Sequence, residues 1–206
     1  MTREEDRRRA ALVLAARRAY RRGLQTGDGG NLSARSTVAG AMLVTGSGTS
    51  FGDCEPDDFL TVRLDGTVVG DVGRPTREAL MHARIYAERA DVGAVVHAHA
   101  PYTVALSHRA EKIPRATLHA RLKIPAPIVV LDVPSPFVRE QDWPLVGELL
   151  ARDDHPTAFV LRDHGLVTLG PDPVRAEHLA ELVEETAQVA FLTALLHPGA
   201  AGPIPS

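Results

Sequence analysis

Apolar and polar residues alternate along this chain with two different periods, one typical of helices and one typical of strands. Helical spacing predicts long amphipathic helices near both ends, over residues 4–22 and from about Pro173 to about Leu196. Shorter helices are predicted over 76–89, 101–107 and 142–152. Short apolar runs bounded by turn residues predict strands over 31–36, 41–45, 59–64, 67–69, 92–99, 127–132, 158–161 and 166–169. Because helices and strands are interleaved, the pattern indicates one mixed α/β domain.

Turn and cap residues define several of these boundaries. Gly23 is positioned to end the first helix. Asp65-Gly66 is a strong turn signal and predicts a hairpin between the strands on either side. Thr76 follows Pro75 and is expected to cap the helix over 76–89.

Composition and charge narrow the classes of protein to which the chain can belong. Its 206 residues suffice for one ordinary domain, which we expect over 1–206, with a core at about 8–196 and a mobile tail at 198–206. A net charge of −3 gives no electrostatic footprint for nucleic acid. No apolar run approaches the roughly 18 residues of a membrane span. Because Cys54 is the only cysteine and no signal-peptide layout is visible, we expect a cytoplasmic protein.

Two histidines separated by one residue follow the apolar run 92–96. Side chains of a strand alternate between its faces, so His97 and His99 should point the same way. Two imidazoles on one side of a strand end form half of a site for Zn²⁺, Mn²⁺ or Co²⁺. Paired histidines are also common as plain surface residues, so the interpretation depends on further ligands. Such groups are present on both sides in the sequence: Glu78 and His82 lie upstream, and Asp163-His164-Gly165 lies downstream between two short apolar runs.

A carboxylate and a third imidazole lie upstream of this pair. Glu78 and His82 are four residues apart and would share one face of the predicted helix. As an isolated pair they would be ordinary solvated side chains. Glu78, however, lies in the first turn of that helix, from where its carboxylate could reach a metal ion at the end of the next strand.

Two loops rich in small residues, 26–30 and 46–50, lie next to the first two predicted strands. The first lacks the spacing and the lysine of a nucleotide P-loop, and it precedes a strand, whereas a dinucleotide fingerprint follows one. A plain turn and an anion site both stay open. Together with Asn31, Thr45 and Gly46, exposed N–H groups and hydroxyls in these loops could bind a phosphate or a carboxylate.

Six short motifs appear in a set order: Gly30-Asn31-Leu-Ser33, Val44-Thr45-Gly46, Pro75-Thr-Arg-Glu78-x-x-x-His82, Ile85-Tyr86-x-x-Arg89-x-Asp91-Val92, Val95-Val96-His97-x-His99 and His164-Gly165. In this order they resemble the class II aldolase and adducin family, in its branch of bacterial sugar-phosphate aldolases related to fuculose-phosphate aldolase. The resemblance covers about residues 8–196, and its most specific part is 75–99.

The resemblance implies a three-layer α/β/α fold with a central, largely antiparallel sheet, assembled as a homotetramer. It implies that His97, His99 and His164 bind a catalytic Zn²⁺, with Mn²⁺ or Co²⁺ as alternatives. Glu78 would contact the metal in the resting site and act as general acid and base once substrate displaces it. Four positions match the family's phosphate-binding residues: Asn31, Thr45, Gly46 and Thr76.

Two departures from the family bear on the reaction. Its aldolases usually carry two serines before the glutamate, where this chain has Thr76 and Arg77. The guanidinium of Arg77 would suit a phosphate or a carboxylate. The segment 113–127 contains no tyrosine, whereas the aldolases place there a proton donor that crosses the subunit interface. His119 is the candidate that could replace it, with Arg121 nearby.

Three functions therefore stay open. An aldolase would cleave a ketose 1-phosphate to dihydroxyacetone phosphate and an aldehyde. A metal-dependent decarboxylase, dehydratase or epimerase of the same superfamily would act on a 3-oxo or aromatic acid, and Arg77 together with the missing tyrosine favours it. The third is a non-catalytic, adducin-like interaction module, which would have no need of the histidines and Glu78. In both enzyme interpretations the partner is a small phosphorylated sugar or oxo acid, not nucleic acid or a membrane.

Overall fold

The computed structural model describes residues 2–70 and 72–196. Within them, one eight-stranded sheet has the order β3-β2-β1-β4-β8-β7-β6-β5. The strands are β1 (Asn31–Arg35), β2 (Ala41–Thr45), β3 (Phe59–Arg63), β4 (Ala94–Ala98), β5 (Lys112–Ile113), β6 (Ile128–Leu131), β7 (Ala158–Leu161) and β8 (Gly165–Gly170). Neighbouring strands are antiparallel except for the parallel pair β6 and β7. The predicted central, largely antiparallel sheet is confirmed.

Helices cover both faces of this sheet. Their bounds are α1 (Arg3–Arg21), α2 (Ala79–Glu88), α3 (Pro101–Ser107), α4 (Leu118–Lys123), α5 (Trp143–Leu150) and α6 (Pro173–Leu196). One buried apolar cluster joins the sheet to α1, α3, α4 and α6. A second cluster joins it to α2 and α5. The two clusters make the fold a three-layer α/β/α arrangement, as predicted.

Local sequence accounts for the main elements. Helix α1 begins after Thr2, whose hydroxyl accepts a hydrogen bond from the N–H of Glu5 (3.3 Å). Acidic residues in its first turn and arginines in its last turn complement the helix dipole. Strand β4 is buried along its whole length because helices cover both of its faces, which explains its continuous apolar run.

The start of α2 differs from the prediction. The helix begins at Ala79 rather than at Thr76, and its N-cap is Glu78. The backbone N–H of Thr76 donates to the carbonyl oxygen of Thr45 at the end of β2 (3.0 Å). This bond holds Thr76 beside the end of β2, and the helix begins three residues later.

Other differences are smaller. Residues 67–69 do not form a strand; only Val68 bridges to Val62, although the turn at Asp65-Gly66 is present as predicted. The pattern did not predict α4 and β5. The tail over 198–206 lies outside the described residues. In the part of the chain that the structure describes, no helix is both long and apolar enough to cross a membrane.

Candidate metal centre and active site

The histidines of the candidate site meet at one edge of the sheet because of the strand order. β1 and β8 lie on either side of β4 and run antiparallel to it, so their starts meet its end. His97, near the end of β4, pairs with Asn31 at the start of β1. His99 follows β4, and His164 directly precedes β8.

A tight turn between β7 and β8 places His164. Asp163 adopts the left-handed backbone conformation (φ 57°), and its N–H donates to the hydroxyl of Ser107 (3.0 Å). Gly165 follows His164. A Cβ at Gly165 would lie 2.5 Å from a carbonyl oxygen of β4 and 3.0 Å from Cε1 of His97. Glycine at this position therefore lets β8 approach β4 and brings His164 beside His97.

The three imidazoles form a compact cluster. One ring nitrogen from each of His97, His99 and His164 can be chosen so that all three lie within 4.8 Å of one another. His97 Nδ1 lies 2.9 Å from the carbonyl oxygen of Leu166, which can only accept, so Nδ1 carries the proton and Nε2 a lone pair. This Nε2 lies 3.3 Å from Nε2 of His164.

These distances fit a shared metal ion. Two nitrogens bound to one tetrahedral Zn²⁺ at about 2.0–2.1 Å would be roughly 3.3–3.4 Å apart, as His97 and His164 are. Oε2 of Glu78 lies 3.2 Å from the same Nε2 of His97. Electron-rich atoms that face one another at this range repel unless a proton or a metal cation lies between them. Among the described residues, His99 Nε2 and Glu78 Oε1 are also buried without hydrogen-bond partners.

Burial keeps the imidazoles of this cluster neutral. Burial, helped by the neighbouring imidazoles, lowers the pKa of His97 to about 3 and the pKa of His164 to about 4. It also lowers the pKa of His99. Because metal ions bind the neutral imidazole, these side chains are in their ligand form at neutral pH without losing a proton first.

The carboxylate of Glu78 points into this cluster. Although Glu78 is the N-cap residue of α2, its side chain makes no capping hydrogen bond. Its Oε2 instead accepts a hydrogen bond from the Asn31 amide (2.7 Å). Burial raises the pKa of Glu78, while His164 and the Asn31 hydrogen bond act in the opposite direction. A buried carboxyl group with a raised pKa is suited to accepting and returning a proton.

Asn31 separates Glu78 from His82. Its amide oxygen lies 2.6 Å from Nε2 of His82, which is completely buried. Burial lowers the pKa of His82 to about 3, so the ring is neutral. Glu78, the N-cap of α2, and His82 within α2 are thus linked through a residue of β1. Both are buried, so the interpretation as a solvated polar pair is wrong.

A cavity of about 390 Å³ opens at this edge of the sheet. The predicted residues that line it are Asn31, Gly46, Thr76, Arg77, Glu78, His99 and His164. Thr45 is not among them: it is buried, and its hydroxyl accepts a hydrogen bond from the N–H of Leu32 (3.3 Å). The N–H of Gly46 donates to the carbonyl oxygen of Asp58 (2.8 Å). The polar groups expected to be exposed at Thr45 and Gly46 are therefore used within the fold.

Seven further residues line the cavity: five belong to the two loops 26–30 and 46–50, and two, Pro136 and Phe137, lie where no site was predicted. Phe137 belongs to the loop after β6. That loop is held by Asp142, whose carboxylate accepts hydrogen bonds from the N–H of Arg139 (3.0 Å) and the hydroxyl of Ser135 (3.2 Å). The available signal was an aromatic residue that directly follows Pro134-Ser135-Pro136, six residues beyond a strand that ends at the same edge.

His119 is not among the residues that line this cavity. It lines a larger one of about 610 Å³, together with Arg18 and His178. We place the candidate site at the smaller cavity because the histidine cluster and Glu78 meet there. Within one chain, the predicted proton donor is therefore not brought to the other site residues.

The chain is similar to several known proteins. Residues 10–191 match the family model described as "Class II Aldolase and Adducin N-terminal domain". An L-fuculose phosphate aldolase from Methanococcus maripaludis is 30% identical over 173 residues, which cover 84% of this chain and 90% of that protein. A 3-oxo-tetronate 4-phosphate decarboxylase from Haemophilus influenzae is 30% identical over 184 residues, covering 87% and 85%. The crystal structure of an L-fuculose-1-phosphate aldolase from Thermus thermophilus superimposes with a TM-score of 0.80 at 28% identity, covering 94% of this chain and 96% of that chain.

Proposed function

Because this chain belongs to the class II aldolase and adducin family, we propose that it is a metal-dependent lyase that cleaves a ketose 1-phosphate into dihydroxyacetone phosphate and an aldehyde. One observation carries the proposal: the Glu78 carboxylate lies 3.2 Å from His97, at a cavity that His99 and His164 line. A proton acceptor beside a set of metal ligands serves chemistry. A non-catalytic interaction module would need neither.

His97, His99 and His164 are the proposed metal ligands, with Zn²⁺ as the ion and Mn²⁺ or Co²⁺ as alternatives. The carbonyl of Leu166 fixes the His97 tautomer and so directs the lone pair of Nε2 toward the cluster. When bound, the ion would supply Lewis-acid stabilisation of the negative charge that develops on a substrate oxygen during C–C cleavage. Neutral ligands suit this role because they leave the charge of the ion uncompensated.

Glu78 is the proposed acid and base. Asn31 holds its Oε2 by a hydrogen bond of 2.7 Å. Its Oε1 is buried and has no hydrogen-bond partner among the described residues. Oε1 is thus the oxygen that can take a proton from the substrate and return it.

We place the phosphate of the substrate on the side of the cavity that Thr76 and Arg77 line. Arg77 supplies a fixed positive charge and a planar set of donors that match a phosphate. Asp28 lines the same cavity, and a carboxylate disfavours an anion next to it. The contrast between these two charges gives the cavity a polarity that favours one orientation of the substrate.

A decarboxylase acting on a phosphorylated 3-oxo acid is the second candidate, in line with the Haemophilus influenzae relative. Arg77 at the cavity favours it, because a guanidinium also binds a carboxylate. The chain has three tyrosines, Tyr20, Tyr86 and Tyr102. None of them is among the residues that line the cavity. Decarboxylation needs less proton transfer than aldol cleavage, so it depends less on the missing tyrosine.

We further propose a homotetramer. Helix α4 exposes Leu118 (79%) and Leu122 (76%) one turn apart, and exposed apolar pairs of this kind are typical of contact surfaces. His119 lies next to them, so in an assembly it could act as proton donor at the site of a neighbouring subunit.

Light scattering should give four times the chain mass of 22.1 kDa, about 88 kDa. A monodisperse, fully active monomer would contradict this.

Product analysis with a small substrate panel tests the reaction. The metal-loaded protein is incubated with ketose 1-phosphates, including L-fuculose 1-phosphate and 5-deoxyribulose 1-phosphate, and separately with a 3-oxo acid phosphate and aromatic acids. We expect dihydroxyacetone phosphate from a ketose 1-phosphate and no CO₂ from the acids. Release of CO₂ from the 3-oxo acid phosphate, with no cleavage of any ketose 1-phosphate, would replace the aldolase with the decarboxylase. Dihydroxyacetone phosphate counts for the aldolase only when it comes from a ketose 1-phosphate, because a 3-oxo-tetronate 4-phosphate that loses CO₂ also leaves dihydroxyacetone phosphate. If no compound on the panel reacts, both assignments lose their support.

A further inference from the structure

Five polar side chains form one continuous chain of hydrogen bonds behind the cavity. Tyr86 Oη lies 2.7 Å from Ser33 Oγ, which lies 2.6 Å from His82 Nδ1. His82 Nε2 lies 2.6 Å from Asn31 Oδ1, and Asn31 Nδ2 lies 2.7 Å from Glu78 Oε2. All five side chains are buried. The hydrogen bonds alternate between β1 and α2 with its N-cap, and they end at the proposed catalytic carboxylate.

The acceptor at the end of the chain, the Glu78 carboxylate, determines the direction of every hydrogen bond in it. When it is ionised, the carboxylate of Glu78 can only accept, so the NH₂ group of Asn31 faces it and the amide oxygen of Asn31 faces His82. That oxygen requires a proton on His82 Nε2. The neutral ring then accepts at Nδ1 from the hydroxyl of Ser33, which in turn accepts from Tyr86. Each donor points toward Glu78, and such aligned bonds strengthen one another.

The amide of Asn31 is the weak point of this chain. Its oxygen and nitrogen have almost the same shape, so packing alone does not prevent a flip. A flipped amide would turn its oxygen toward the Glu78 carboxylate and repel it. The observed orientation satisfies both neighbours, because it gives the Glu78 carboxylate a donor and the N–H of His82 an acceptor, and loss of the His82 N–H would remove one of these two constraints.

We propose that His82 is a positioning residue of the reaction, which sets the Asn31 amide and through it the place of the Glu78 carboxylate. The inference rests on the proposed acid and base role of Glu78. His82 itself does not touch the substrate: it is completely buried, it is not among the residues that line the cavity, and both of its ring nitrogens are used. Its effect therefore reaches the reaction only through Asn31.

Three substitutions of His82 separate this role from simple packing. Gln carries its amide nitrogen as many bonds from Cβ as His carries Nε2, so His82→Gln can still donate to Asn31. His82→Asn reaches only as far as Nδ1, and His82→Leu has no donor. We expect kcat to fall by about 10- to 100-fold in the Asn and Leu variants, the usual weight of a partner that orients a catalytic group. KM and metal content should change little, and the Gln variant should recover most of the loss.

The matched control is Met81→Leu, a buried apolar exchange on the same helix, which should leave kcat unchanged. If His82→Leu does not fold, the comparison of Gln with Asn still decides, because these two variants differ by one methylene. Equal kcat in the Gln and Asn variants, or wild-type kcat in the Leu variant, would overturn the proposal.

A double variant tests whether His82 acts through Glu78. In a Glu78→Gln background, His82→Leu should lower the residual rate by less than threefold, because the group that it positions is already inert. If His82→Leu instead caused a general structural defect, the fold-losses in rate of the two single variants would multiply in the double variant. If the double variant shows such multiplication, His82 is not a positioning residue for Glu78.

A measurement on the metal-free protein keeps this inference separate from the choice of substrate. The side-chain amide of Asn31 should give a distinct NMR signal that exchanges slowly with water in the wild type and in His82→Gln. The same signal should exchange faster in His82→Asn. If the substrate panel gives no turnover while this protection pattern is present, the proposed reaction fails and the positioning of Asn31 stands. Equal protection in all variants would overturn the inference whatever the reaction is.

Discussion

Glu78→Gln is expected to keep the fold and the bound metal while lowering kcat by roughly 10²–10⁴-fold, the usual weight of general acid–base catalysis. Glutamine has the size of glutamate, and its amide oxygen can still accept the hydrogen bond from Asn31. It cannot take up a proton at the position of Oε1. Steady-state kinetics at saturating metal, with the substrate that the panel identifies, would measure the change. kcat and kcat/KM should fall together if the proton transfer belongs to the transition state.

The competing interpretation is that Glu78 only caps its own helix. It predicts a modest loss of stability and nearly normal turnover. The structure argues against it, because the Glu78 side chain makes no capping hydrogen bond. Glu148→Gln, an exposed exchange of the same chemistry on α5, is the matched control and should behave as wild type. An unchanged kcat in Glu78→Gln would remove Glu78 from the mechanism and turn the search for the base to His119.

Local signals were sufficient for most of the fold and for part of the site. The alternation of side chains along a strand predicted that His97 and His99 would lie together, and their rings are 5.1 Å apart. Strand β2 and helix α3 have the predicted bounds, because both are bracketed by turn residues or proline. These are features that a few neighbouring residues decide.

The rest depends on contacts between distant segments. Thr45 and Gly46 look like an exposed anion loop, but their polar groups are taken up by Leu32 and Asp58 from other parts of the chain. The link from Glu78 to His82 runs through Asn31, 47 residues before Glu78. No spacing rule along one helix contains that third residue.

Helix α4 shows a different limit of sequence-based prediction. Leu118 and Leu122 have helical spacing, yet both are exposed, and the buried residue between them is Ala120. A hydrophobic pattern that assigns the largest apolar side chains to the core therefore predicts the wrong buried face for this helix. If these leucines form the proposed contact between subunits, the pattern reflects burial in the assembly, and the sequence of one chain does not distinguish the two kinds of burial.

Single alanine substitutions of His97, His99 and His164 are expected to remove the bound metal. The wild-type protein should carry about one divalent transition ion per chain, and each variant should carry much less after dialysis, as measured by elemental analysis. We expect the largest loss for His97→Ala. His97 is fully buried, its tautomer is set by Leu166, and its Nε2 lies within 3.3 Å of both Glu78 and His164.

The thermal midpoint tests the same site without any substrate. An ion that binds only the folded protein raises the midpoint, and the rise disappears when a ligand is lost. Added Zn²⁺ should therefore stabilise the wild type and the control His178→Ala, an exposed histidine on α6, but not His97→Ala. The metal-free His97→Ala protein should itself be folded, because the substitution also removes one of the electron-rich groups that repel one another in the cluster. Full metal occupancy and full activity in all three ligand variants would rule out the metal centre and, with it, the proposed chemistry.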